Sequence, residues 1–98
     1  MANYQIVYWR NIPAQVKARE GRERASRPLS DRFQVAIDRA AMRAGLFNTD
    51  DYLSEWRTGE TQEREGELES VAESLIAELE AAYPDSRLET LAASGGLE

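Results

Sequence analysis

With 98 residues, 42% of them hydrophobic, the chain has material for one domain with one modest core and not for two. It holds neither cysteine nor histidine, which excludes disulfides, thiolate or imidazole metal sites, cysteine nucleophiles and the commonest general base. No apolar run approaches the roughly 18 residues of a membrane span, and Met1 to Ile6 lacks the basic start and long apolar stretch of a signal peptide, so a cytoplasmic location is expected. The net charge of −6 hides an asymmetry: residues 1 to 45 carry nine Lys and Arg against four Asp and Glu, residues 58 to 98 two against eleven. Eleven of the twelve cations are arginine, whose planar fork suits carboxylates and phosphates.

Tyr4 to Trp9 alternates Tyr4, Ile6 and Tyr8 with Gln5, Val7 and Trp9 in β-branched and aromatic types, which predicts a strand covered on both faces. Asn11-Ile12-Pro13 breaks the pattern and predicts a turn. Ala14, Val16 and Ala18 alternating with Gln15, Lys17 and Arg19 then give a second strand that pairs back on the first. Gly21 to Pro28, with three arginines and no apolar period, reads as a solvated connection or a frayed extension of that hairpin. Ser30 is placed to cap a helix whose buried stripe is Phe33, Ala36, Ile37, Ala40, Ala41 and Ala44, and Gly45 stops it.

Asn48 and Thr49 can cap one or two helical turns over Asp50 to Trp56, with Tyr52, Leu53 and Trp56 on one side. Thr58 to Gly66 is a loop or a weak edge strand. From Glu67 the series Leu68, Val71, Ala72, Leu75, Ile76, Leu79 and Tyr83 is the strongest helical period in the chain, and Pro84 ends it. A short turn is expected from Asp85 to Leu91 and a flexible end from Ala92, where Leu97-Glu98 could be a vector remnant. The expectation is an α+β fold: an N-terminal antiparallel β-hairpin, with a third edge strand as an option, packed against two long helices and a short helical segment. Residues 1 to 91 form the domain and 92 to 98 the tail.

Tyr8-Trp9-Arg10-Asn11-Ile12-Pro13-Ala14-Gln15-Val16, then Leu29 to Ala44, then Asp51-Tyr52-Leu53 and Trp56-Arg57 together resemble the small bacterial family called virulence factor, over about residues 4 to 83. A related domain lies inside the longer protein called conserved virulence factor C. The family name describes a phenotype and brings no catalytic residues with it. What the resemblance implies is a small accessory protein beside enzymes of folate or corrinoid one-carbon metabolism, with methylenetetrahydrofolate reductase or a corrinoid methyltransferase protein as the larger partner.

Two Trp-Arg pairs, Trp9-Arg10 and Trp56-Arg57, together with Gln15 are the candidate ligand or partner site. If the pairs converge they could wall a site for a carboxylate, a phosphate or a pterin-like ring; otherwise the tryptophans are core edges and the arginines solvated. Convergence requires the short helical segment to pack on the open end of the hairpin, leaving both arginines as exposed charges that contribute little to stability. Lys17, Arg19, Arg22, Arg24 and Arg27 are the candidate basic surface. Glu20 and Glu23 are interleaved and no aromatic residue stands among them for base stacking, so an acidic protein surface fits better than nucleic acid. Asp38 is expected in a structural ion pair, with the neighbours of Arg39 or with a strand arginine such as Arg10 or Arg19. Glu60, Glu63, Glu65, Glu67 and Glu69 lack the grammar of a calcium loop and read as a solvated approach to a helix. Neither a metal nor a cofactor is expected, nor turnover by the isolated chain. The functional expectation is a non-catalytic interaction protein, with a small anion-binding or enzymatic subunit and weak RNA binding as alternatives.

Overall fold

Period-two alternation folds the N-terminal part into an antiparallel meander, β1 (Ala2–Trp9), β2 (Ile12–Glu20) and β3 (Glu23–Pro28), in a computed structural model that describes residues 1–98. The turn between the first two strands is Arg10-Asn11, because Trp9 pairs with Ile12, and Arg10 takes it with a φ of 52°. Ile12 and Pro13 thus belong to β2 and not to the expected turn. Proline has no N–H for the ladder, and next to it the register slips. Val7 faces Gln15 but Tyr8 faces Pro13, leaving Ala14 as the extra residue, whose carbonyl accepts from the Leu29 N–H at 3.0 Å.

Of the two readings of Gly21 to Pro28, β3 sets aside the connection and makes the segment an extension of the hairpin, fully paired where fraying was expected. Its ladder with β2 runs from Gln15↔Pro28 to Glu20↔Glu23. Ala25 is its one buried side chain, set opposite the buried Ala18, so the apolar period that announces a strand has a single member here. On the other side β1 is shared by two short strands, β4 (Trp56–Thr58), which pairs with Val7 to Trp9, and β5 (Gln62–Arg64), which pairs with Ala2 to Tyr4. The weak edge expected in Thr58 to Gly66 is therefore formed, interrupted where the Gly59 N–H donates to the Ile6 carbonyl at 2.8 Å.

Four helices complete the α+β fold: α1 (Asp31–Arg43), α2 (Asp50–Ser54), α3 (Leu68–Ala82) and α4 (Asp85–Ala93). α3 lays Leu68, Val71, Ala72 and Leu75 on Ala2, Val16, Ala18 and Ala25 of the sheet. α1 and α4 form a second core with Trp9, Ile12, Leu29 and Tyr83, in which the alanine stripe of α1 lets α4 approach closely. α2 is shorter than expected because Trp56 leaves the helix to open β4, and Leu53 turns outward, 66% exposed. The short turn after Pro84 is a nine-residue helix that buries Leu88, Leu91 and Ala92.

Ser30 does stand at the N-cap of α1, but its side chain does not cap the helix. Its N–H and hydroxyl donate to the Glu80 carboxylate of α3 at 2.8 and 2.9 Å, and Arg32 donates to the same carboxylate at 2.9 Å. Arg32 also reaches the Glu80 and Tyr83 carbonyls and Asp85, so one arginine fastens α1 to the end of α3 and the start of α4. Burial alone would raise the pKa of Glu80; the donors from Ser30 and Arg32 outweigh it and hold the carboxyl below its ordinary value of about 4.5. A depressed folded value means that this stabilisation is present above about 4.5 and is lost as pH falls through the lower folded value. Glu80→Gln should reduce stability at neutral pH by about 1 to 2 kcal/mol and flatten the acid limb of the stability curve, as read by urea titrations across pH.

The end read as a flexible tail turns back onto the hairpin. The Gly96 carbonyl accepts from the Asn11 N–H at 2.8 Å, the Gly96 N–H donates to Leu91 at 2.7 Å, and both Gly95 and Gly96 are buried. Gly96 has a φ of 89°, and a Cβ there would lie 2.9 Å from the Trp9 ring. Gly96→Ala should therefore cost about 1 to 3 kcal/mol, through left-handed strain and overpacking together, in chemical denaturation followed by tryptophan fluorescence.

Candidate functional site

The antiparallel pairing of β1 with β4 brings the two Trp-Arg pairs together, with Trp9 opposite Trp56 and Tyr8 opposite Arg57. Trp9 is fully buried; its indole N–H donates to the Tyr52 carbonyl at 2.9 Å and its ring lies 5.5 Å from that of Tyr52. Tyr52 in turn meets Trp56 edge-on at 6.2 Å. This is the apolar contact between the short helix and the hairpin end that convergence demands. It is made by Tyr52 and Trp56 without Leu53, and it leaves Trp9 no surface for a ligand.

The two arginines do different work. Arg10 is not an exposed charge: its side chain is 16% accessible, it donates to the Gly95 carbonyl at 3.0 Å, pairs with Glu55 at 3.2 Å and lies over the Trp9 ring at 5.3 Å. Its Nε is buried without a partner. Glu55 holds the place expected for Asp38, which bonds only to Gln34 on its own helix at 2.9 Å. The cause is topological: β4 sets Glu55 beside the hairpin turn, where its carbonyl also accepts from the Arg10 N–H. Arg57 is exposed, donates through Nε to the Arg10 carbonyl at 3.1 Å and stacks its guanidinium 4.5 Å from the Tyr8 ring centre. Arg57, and not Arg10, lines a cleft of about 350 Å³ with Tyr4, Ile6, Tyr8 and Tyr83. The tyrosines of this cleft were hidden in the sequence because Tyr4 and Tyr8 read as one face of a strand and Tyr83 as the end of a helical stripe. Burial raises the pKa of the Tyr83 hydroxyl above its ordinary value, and the neighbouring Arg87 and Arg57 charges pull against that rise.

The cations of the second hairpin divide among three surroundings. Lys17, Arg19 and Arg24 stand exposed on the sheet face turned away from the helices, around a depression of about 340 Å³ with Asn3, Gln5 and Ser26. Arg19 and Arg24 are direct cross-strand partners. Arg27 points to the helix side and pairs with Glu69, and Arg22 sits in the turn after Gly21. Glu20 and Glu23, interleaved in sequence, are sorted to the helix side beside Glu67 and Glu69. In the row Arg24–Arg19–Asn3 the next residue is Glu63, two strands from Arg19, about 9 to 10 Å away, and neither Arg19 nor Arg24 makes an ion pair. Gln15 lies half-buried in the same strand, opposite Val7 and Pro28.

Removing the two site arginines should separate their roles. Arg10→Ala strands a buried carbonyl and an unpaired Glu55 and should cost about 2 to 3 kcal/mol, whereas Arg57→Ala should cost below about 1 kcal/mol, both measured by urea denaturation.

No helix is long and apolar enough to cross a membrane. No curated protein and no solved structure shows significant similarity to the chain. A family model described as virulence factor matches residues 7–92, from the middle of β1 to the end of α4. The match takes in nearly every element that builds the convergence of Trp9, Arg10, Trp56 and Arg57, and the chain belongs to the virulence factor family.

Proposed function

We propose that this chain is a non-catalytic accessory protein that docks a larger protein through the open face of its sheet, and that the docked surface is acidic. The observation that carries the reading is the pair Arg19 and Arg24, directly opposite each other with Lys17 beside them and no acid in contact. Like charges opposite each other across strands are destabilising, so the isolated domain bears a cost that a carboxylate-bearing surface would relieve. Asn3, Gln5 and Ser26 add amide and hydroxyl donors suited to the same groups. Alternation sends the hairpin acids to the opposite face, which leaves this one more strongly basic than the sequence order suggests.

RNA is the weaker fit. The open face presents Val7 and polar side chains, with Tyr4 the one aromatic residue that lines its depression, where base stacking would need several rings, and the net charge of −6 repels a polyanion at range. The family resemblance points to enzymes of folate or corrinoid one-carbon metabolism as the partners to try first, methylenetetrahydrofolate reductase and a corrinoid methyltransferase protein among them.

The test is binding of the purified chain to each purified enzyme from the same host by isothermal titration calorimetry. The double variant Lys17→Glu/Arg24→Glu should weaken the complex at least about tenfold while retaining its fold by circular dichroism. Equal affinity of the variant, or single-stranded RNA bound more tightly than either enzyme, would overturn the proposal.

A further inference from the structure

The cleft around Arg57 lies outside the proposed docking surface, on the helix side of the same sheet. Three of the four tyrosines of the chain, Tyr4, Tyr8 and Tyr83, gather there over Ile6. Arg57 is held at its stem: Nε is occupied by the Arg10 carbonyl and the guanidinium plane rests on Tyr8. Its terminal nitrogens make neither an ion pair nor a hydrogen bond, so the fork is oriented and free. Every other arginine in contact with an aromatic ring, Arg10, Arg32, Arg64 and Arg87, already holds a carboxylate.

Gln62 stands at the same cleft, where its Oε1 accepts from the Tyr4 hydroxyl at 3.0 Å and its amide NH₂ remains to donate. Two acids reach the rim. Glu98 is neutralised by Arg87, which holds both its oxygens, and Glu60 is exposed at the mouth. The cleft therefore offers one unpaired cation with a planar fork, an amide donor, aromatic walls and an aliphatic floor. Its volume of about 350 Å³ falls at the small end of the range for small-molecule sites.

We infer that this cleft binds the carboxylate of a small planar aromatic acid, with the carboxylate on the Arg57 fork and the ring between the tyrosine side chains. A carboxylate accepts two parallel N–H bonds from a guanidinium, and a preorganised fork loses little freedom in making them. A ring adjoining the carboxylate would lie against the tyrosines that line the cleft, where aromatic pairs gain from edge-on or offset contact. Acetate would use the fork alone and inorganic phosphate would leave the walls uncovered, so both should bind more weakly.

Benzoate is the probe, titrated to about 10 mM into ¹⁵N-labelled full-length protein and followed by heteronuclear NMR, with acetate and phosphate as parallel titrations. The expected result is saturable shifts centred on Tyr8, Arg57 and Gln62, with benzoate at least tenfold tighter than acetate or phosphate. Arg57→Gln should weaken benzoate at least tenfold while its spectrum elsewhere stays that of the native fold. Tyr8→Leu, which keeps the arginine, should narrow the gap between benzoate and acetate. Absence of saturable shifts, equal binding of the three anions, or benzoate binding unchanged in Arg57→Gln would each overturn the assignment.

Discussion

The fold hangs on the burial of one indole. Trp9 ends the first strand, and in a hairpin whose turn is only Arg10-Asn11 the sheet alone cannot cover so large a side chain. Three separate parts of the chain do so: Ile12 across the ladder, Tyr52 with Trp56 from the short helix and β4, and Gly96 from the segment that follows α4. Each must come close, which explains why a glycine with a left-handed φ is needed where the ring leaves no room for a Cβ. Burying the indole also obliges its N–H to find a partner, and the Tyr52 carbonyl supplies it. The ends of the chain and its middle are thereby fastened to a single point, a long-range constraint of the kind a small core depends on.

Charge follows from the same geometry. The sequence between Lys17 and Arg27 mixes cations and acids almost residue by residue, and read as a string it is a solvated stretch of no particular polarity. Pairing β2 with β3 turns position parity into sidedness. Lys17, Arg19 and Arg24 go to the open face; Glu20, Glu23 and Arg27 go to the face that carries α3. Mixed composition in a strand is therefore no argument for a mixed surface.

This sets the limit of what the sequence discloses. Both long helices, the first hairpin and the capping position of Ser30 are legible because a periodic stripe or a proline states them locally, whereas the meeting of the two Trp-Arg pairs comes only from the pairing of β1 with β4. β3 and α4 are not, since the stripe of β3 has only Ala25 and that of α4 only Leu88, Leu91 and Ala92, and both depend on neighbours distant in sequence. The same holds for partners of charged groups. Arg10 finds Glu55 and Gly95 through β4 and α4, and no local pattern distinguishes Glu55 from Asp38 as the carboxylate that topology will deliver. The tyrosine cleft escapes for a related reason: its walls come from β1 and from the last residue of a helical stripe, each of which already accounts for its own aromatic as core.

β1 carries both proposed surfaces, and it does so on alternate residues. Gln5 belongs to the basic face, while Ile6 and Tyr8 belong to the cleft, so the two sites are one residue apart along the chain and face opposite sides of the sheet, with Tyr4 lining both. A register slip of one residue would exchange them and expose the apolar set, which is why the irregularity in this sheet has to be confined. It is confined to β2: Ala14 takes up the extra residue beside Pro13, and β1 keeps unbroken alternation from Asn3 to Trp9. Placing the bulge on the partner strand preserves the sidedness of β1, and the regular ladder on its other edge sets Arg57 opposite Tyr8, over whose ring it lies. For Arg57 the aromatic partner is set by cross-strand register, whereas Arg10 and Arg32 lie over their sequence neighbours Trp9 and Phe33, so a Trp-Arg dipeptide alone does not say which ring its arginine will meet.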